Sequence, residues 1–242
     1  MLVRNKKRFS APSAVVLAGA LGLVASEVRA ETRVELGMRT GYAVPIGKAA
    51  ENATLDMNEG IAGQIPLWFD LGARIGERVF VGPYFSYGFG ILGESLADDC
   101  DEAQSQGEAV GIDVSCSTTD MRLGAQVLYH FGPPNETHLW LGGGIGYEWW
   151  RFSQSLESST AQATLSVTAH GFELLNLQVG GDFPLSEHFA LGPFMAFTLA
   201  QYGKASGDCS GDCSGVSSSS DSIDDKSLHQ WLFFGIRGTG LP

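Results

Sequence analysis

The sequence predicts an all-β protein: an eight-stranded antiparallel up-and-down β-barrel that crosses a membrane. Three observations predict it. Apolar and polar residues alternate with period two through eight segments; short and long connections between those segments alternate without exception; and the polar face is rich in glycine but poor in charge. Glycine supplies 32 of 242 residues and charged side chains only 17%. That is nearly twice the usual glycine share of ~7%, and it excludes both a disordered and a coiled-coil composition.

Residues 1–30 read as a secretory signal peptide. Arg4, Lys6, Lys7 and Arg8 form a basic region, residues 14–25 are apolar, and Val28 and Ala30 offer small side chains where a signal peptidase cuts. Cleavage after Ala30 is expected, leaving Glu31 first and no cysteine for a lipid anchor. The mature chain, 31–242, is expected to work beyond the cytoplasmic membrane, where disulfides persist. Over these residues acids outnumber bases 26 to 10, so nucleic acid is not an expected partner.

The strands follow in order. Residues 33–44 put Val34, Leu36, Met38, Thr40, Tyr42 and Val44 on one face, with Arg33, Glu35, Gly37, Arg39, Gly41 and Ala43 on the other. Successive strand side chains point to opposite faces, so this is one long two-faced strand. Residues 61–75 repeat the pattern, with Gln64, Asp70 and Arg74 on the polar face; residues 79–91 set Gly82, Ser86, Gly88 and Gly90 against apolar partners. Residues 121–131 place Arg122, Gly124, Gln126 and His130 opposite Leu123, Val127 and Tyr129. Residues 139–149 place Gly142, Gly144, Gly146 and Glu148 opposite Leu139, Leu141, Ile145, Tyr147 and Trp149. The sixth strand, 165–183, falters near Glu173, Leu174 and Leu175, which points to a bulge or register change. Residues 189–199 alternate cleanly. The eighth strand, 228–239, holds Trp231, Leu232, Phe233 and Phe234 in succession and leaves its outward face ambiguous.

Strands two and three are joined by about two residues, four and five by 132–136, and six and seven by 184–188. The other connections, near 48–59, 93–119, 153–163 and 203–226, are long. In an up-and-down barrel this puts every short turn at one rim and every long loop at the other, the asymmetry of outer-membrane barrels. A soluble barrel binding an apolar ligand would need a charged outer face, and the polar face here carries too little charge for that. Placed inside, Glu35, Arg39, Asp70, Arg74, Arg122 and Glu148 form an ion-pair network filling the lumen, with Arg237 a further candidate. Pairing is the least costly way to bury charge, so the network is read as structural. Residues 77–85 also resemble residues 187–195, a hint of hairpin duplication.

With export signal, strands and turn asymmetry together, the mature chain resembles a small outer-membrane β-barrel of the OmpA/OmpX-like superfamily. The resemblance is architectural and covers the barrel domain only, with no further domain expected after strand eight. It implies the outer membrane of a Gram-negative bacterium, both termini at the periplasmic rim, a monomer, and contact with outer-membrane lipids and lipopolysaccharide. Family members usually end on an aromatic residue; this chain ends Gly240, Leu241, Pro242, with Phe233 and Phe234 as candidate substitutes.

All four cysteines fall in long loops. The least demanding pairing is local, Cys100 with Cys116 and Cys209 with Cys213, giving disulfides outside the cell. A metal clip at Cys209 and Cys213 is a weaker reading, because no histidine or second cysteine pair lies beside it; neither metal nor cofactor is expected. The loops hold 16 of the 26 mature acids, including Asp98, Asp99, Asp101, Glu102, Asp221, Asp224 and Asp225. Solvated loops explain them, with divalent bridges to lipopolysaccharide as a further idea. The expected role is structural, or surface interaction through these loops, without enzymatic activity. The alternatives are a narrow channel for small or hydrophobic solutes, and a lipid-A-modifying enzyme built on Ser166, His170 and Glu173. His130, His138, His188 and His229 read as polar residues near strand ends.

Overall fold

Each predicted strand is present, and eight strands close into a single antiparallel ring. The structure, a computed structural model, describes residues 31–48, 57–213 and 217–240; the expected signal peptide and its cleavage site lie outside them. Around the ring run β1 (Thr32–Gly47), β2 (Ile61–Ile75), β3 (Val79–Leu92), β4 (Asp113–His130), β5 (His138–Glu157), β6 (Gln162–Ser186), β7 (Phe189–Gly211) and β9 (Leu228–Gly240). The ring shuts where β9 pairs with β1, from Leu36↔Gly240 to Gly47↔His229. At this seam Gly41 faces Gly235, and a Cβ on either would meet the backbone of the other. Only glycine fits so close an approach.

The side-chain distribution is inverted relative to a soluble protein. Val34, Leu36, Phe69, Leu71, Phe85, Leu123, Leu141, Leu177, Met195 and Ile236 are among 37 large apolar residues exposed in the described residues, most of them on the outer wall. In water each would forgo roughly 1 kcal/mol of burial. The sum exceeds the ~5–15 kcal/mol by which folded domains are stable. The outer wall therefore requires an apolar solvent. The backbone satisfies the matching requirement, since every ring strand has a partner on both sides, as lipid demands.

β6 explains the broken alternation. Its pairing with β7 shifts register between Glu173 and Leu175, and its pairing with β5 shifts opposite Gly144 and Gly146. Glu173 and Asn176 are buried in the lumen, while Leu174 and Leu175 are both exposed outside. One extra residue at a bulge keeps both flanking strand halves in phase. In β9, Trp231 and Phe233 point inward and Phe234 outward, which resolves the ambiguous run.

The long-loop side differs from the sequence reading. β1, β2, β3 and β9 are 13 to 16 residues long, whereas β4 to β7 run 18, 20, 25 and 23. A crossing takes about 9–11 residues, so this half of the wall projects well beyond the belt. Residues 113–119, 153–157, 162–163 and 203–211, expected in loops, are strand. There Ser, Gln, Gly and Asp largely replace Leu and Phe, which hides the strands from a hydrophobicity reading. The 93–119 connection contains a helix, α2 (Glu94–Glu108), in addition to the short α1 (Met57–Gly60) before β2. The 203–226 connection adds a four-residue strand, β8 (Ser219–Ser222), paired to β7. Both disulfides form as expected, Cys100–Cys116 tying α2 to β4 and Cys209–Cys213 closing the end of β7.

The belt sets a position-dependent tolerance for charge. Leu123→Arg, on the outer face of β4, is expected to weaken folding into bilayers by roughly 2–4 kcal/mol. Val110→Arg, on the exposed turn after α2, is expected to stay within about 0.5 kcal/mol. Denaturant titration of the heat-dependent gel shift checks both, and equal tolerance at the two sites contradicts the lipid-facing assignment.

Candidate functional site

The barrel interior concentrates the chemistry. Glycines on the inward face (Gly82, Gly124, Gly142, Gly144) leave room for large side chains from other strands; Tyr84, for example, occupies the space beside Gly124 and Gly146. Into that volume the strands project six carboxylates, four guanidiniums and a layer of rings, all buried. They divide into two networks along the barrel axis.

The network nearer the short turns is balanced, with Glu35, Asp70 and Asp182 against Arg39, Arg74 and Arg237. Arg74 NH1 and Arg237 NH2 each lie 2.9 Å from a different oxygen of Glu35. Arg237 NH1 also reaches Asp182 Oδ2 at 3.1 Å. The Arg39 guanidinium sits 2.8 Å from Asp70 Oδ2 and donates to Gln178 Oε1 at 2.5 Å. Gln126 links the two through a 2.6 Å bond to Asp70 Oδ1 and by accepting from Gln178 at 2.9 Å. Arg39 also stacks over Trp68 at 4.8 Å and Trp140 at 5.4 Å, where ring quadrupoles add cation–π attraction.

The network toward the long loops is acid-rich. Arg122 is its one guanidinium, facing Asp120 at 3.0 Å, Glu148 at 3.4 Å and Glu173 at 3.7 Å. Further donors surround the carboxylates. Tyr202 OH and Trp231 Nε1 donate to Glu148 Oε1 at 2.7 and 3.2 Å, and His229 Nε2 lies 3.3 Å from both its oxygens. Tyr84 OH and Asn176 Nδ2 donate to Glu173 Oε1 at 2.5 and 2.8 Å, and Gln64 Nε2 donates to Asp120 Oδ2 at 2.9 Å. Phe233 and Trp231 lie under the Arg122 guanidinium at 4.7 and 5.2 Å.

All six residues expected in the lumen network are there, but in two groups: Glu35, Arg39, Asp70 and Arg74 in one, Arg122 and Glu148 in the other. Sequence reasoning left out Asp120, Glu173 and Asp182. Asp120 already stood on the polar face of β4. Asp182 follows Asn176, Gln178 and Gly180 at period two, a signal available once the bulge is placed. Three of the strand-end histidines are corrected: His130, His138 and His229 are buried inside, and only His188 lies exposed at the rim. The Ser166, His170, Glu173 grouping does not assemble, because His170 Nδ1 bonds Tyr147 OH at 2.5 Å and Glu173 turns into the lumen. The sulfurs of Cys209 and Cys213 are joined to each other, which removes the metal clip.

No protein-family model and no curated protein matches the chain. Among solved structures it is similar to a major outer membrane protein from Thermus thermophilus, at 13% identity over 86% of this chain and 98% of that one, with a TM-score of 0.50. It is also similar to Neisserial surface protein A (9% identity, 87% and 97% covered, TM-score 0.43) and to the outer membrane protein AlkL (12%, 98% and 97%, 0.42). The first likeness agrees with the ring described above: the fold is that of a small outer-membrane β-barrel.

The networks imply that half-removal costs more than whole removal. Arg39→Met is expected to destabilise by roughly 3–5 kcal/mol, by removing the nearest cation from Asp70 and leaving it Gln126 and a more distant Arg237. The double variant Arg39→Met, Asp70→Leu should recover much of that loss, since apolar replacements of buried pairs are often neutral. Urea titration in bilayers measures both; additive losses would show that the two side chains act independently.

Proposed function

We propose that the protein is an integral, monomeric barrel of the outer membrane of a Gram-negative bacterium, with its short turns toward the periplasm. In this reading the barrel is a plugged scaffold, held among outer-membrane lipids and lipopolysaccharide, and the work is structural or interactive, done by the projecting part of β4 to β7 with α2 and β8. It is not an enzyme. The observation that carries the reading is the contrast between the two regions. The lumen is packed with paired charges and rings, the usual interior of an eight-stranded barrel. The projection is built as a stable surface: its β4 edge carries α2, tied by a disulfide, and its β7 edge carries β8. Covered edges prevent unwanted strand pairing, and the exposed acids Asp98, Asp99, Asp101, Glu102 and Asp221 keep the surface hydrated.

A narrow channel is the competing reading, and planar-bilayer recording separates the two. The scaffold reading expects no stable stepwise conductance from the purified protein; reproducible single-channel steps contradict it. Orientation is checked with an epitope inserted after Val110 or after Asn135. Antibody should stain intact cells for the first insertion and only permeabilised cells for the second.

A further inference from the structure

His130 and His138 bracket the short β4–β5 connection, and Asp182 lies beside them on β6, in register with His138. His130 Nδ1 is 2.9 Å from His138 Nε2, and Asp182 Oδ2 is 3.6 Å from each of those nitrogens. A triangle with these sides has a circumscribed radius of about 2.0 Å, the length of metal–nitrogen and metal–oxygen bonds in zinc sites. One ion can therefore reach all three atoms with little movement of any side chain. All three residues are buried.

The surroundings orient two of the three donors. The Nδ1 of His138 lies 2.7 Å from the carbonyl oxygen of Glu136. Only a protonated Nδ1 can make that bond; Nε2 points into the triangle and carries the lone pair in the neutral ring. Metal-bound histidines are held by this kind of outer hydrogen bond. Asp182 is steadied by Trp140 Nε1, which donates to Oδ1 at 3.2 Å, while Arg237 NH1 lies 3.1 Å from Oδ2, the triangle oxygen itself. His130 presents Nδ1 to the triangle, and its buried Nε2 makes no hydrogen bond. His138 and Asp182 also line a small pocket at the short-turn rim with Arg74, Pro134, Glu187 and His188, about large enough for a single water as a fourth ligand.

We propose that His130, His138 and Asp182 form a three-ligand site for a divalent transition metal of zinc-like preference, with its fourth position open toward the short-turn rim. Two imidazoles and one carboxylate suit zinc or cobalt better than calcium or magnesium, which favour all-oxygen shells. The alternative is a plain hydrogen bond between the two imidazoles. Nearby Arg237 and Arg74 oppose a further cation, so the affinity should fall below that of an all-cysteine structural site.

The test uses the full chain folded in detergent micelles, stripped with chelator, and titrated with zinc chloride or cobalt chloride. The expected result is one zinc per barrel at micromolar free metal, and visible cobalt bands of a four-coordinate nitrogen and oxygen site. His138→Gln and His130→Gln should weaken zinc binding at least tenfold, while His170→Gln, twelve residues from Asp182 along β6, leaves it in place. Folded wild-type protein that takes up no zinc, or binding that persists in both glutamine variants, overturns the proposal. Should those variants fail to fold, the wild-type cobalt spectrum decides: absence of four-coordinate bands overturns the site.

Discussion

In a hydrocarbon solvent a backbone N–H or C=O has no partner except another part of the protein, and the rest of this structure follows from that constraint. A sheet that left one edge open would strand a row of polar groups in lipid, so β9 must return to β1. The close approach of Gly41 and Gly235 sits at that seam. Eight strands enclose a space that side chains, not water, must fill. Once apolar residues are committed to the outside wall, the inward face holds the polar ones, and they can be satisfied only by one another. That is why Glu35 takes two guanidiniums, why Arg122 faces three carboxylates, and why tryptophans and phenylalanines lie against both Arg39 and Arg122.

The same constraint stops at the edge of the belt, and the structure changes there. β4 to β7 continue as a polar wall while β1 to β3 and β9 end. An open sheet in water risks pairing with neighbours. Here α2 with its disulfide flanks one side, and β8, made of serine and aspartate, flanks the other. Charge networks therefore fill the membrane portion, while the projection is polar and solvent-exposed.

Period-two alternation made the barrel legible, since lipid and lumen impose opposite chemistry on consecutive residues. The Glu173 to Leu175 irregularity was legible as a bulge, although its consequence for Asp182 was not: two consecutive outward leucines shift every later residue of β6 by one. The Trp231 to Phe234 run hid its register because lumen and lipid both accept aromatic rings. α2 went unseen because its acidic, solvent-exposed sequence has no strong apolar face. The lumen charges could be named from their faces, but their partition into two networks depends on axial height, which only the strand register sets. His130 and His138 are eight residues apart in the chain, and their meeting depends on how the turn between them folds back.

The central claim is that the apolar face meets acyl chains. Nitroxide labels at Leu71, Leu123, Leu177 and Ile236 in bilayer-reconstituted protein test it most directly, because the native cysteines are paired and stay unlabelled. All four positions should be readily relaxed by oxygen, which partitions into lipid, and shielded from a water-soluble nickel chelate. Ready access of the nickel chelate to these positions in folded protein would contradict the account.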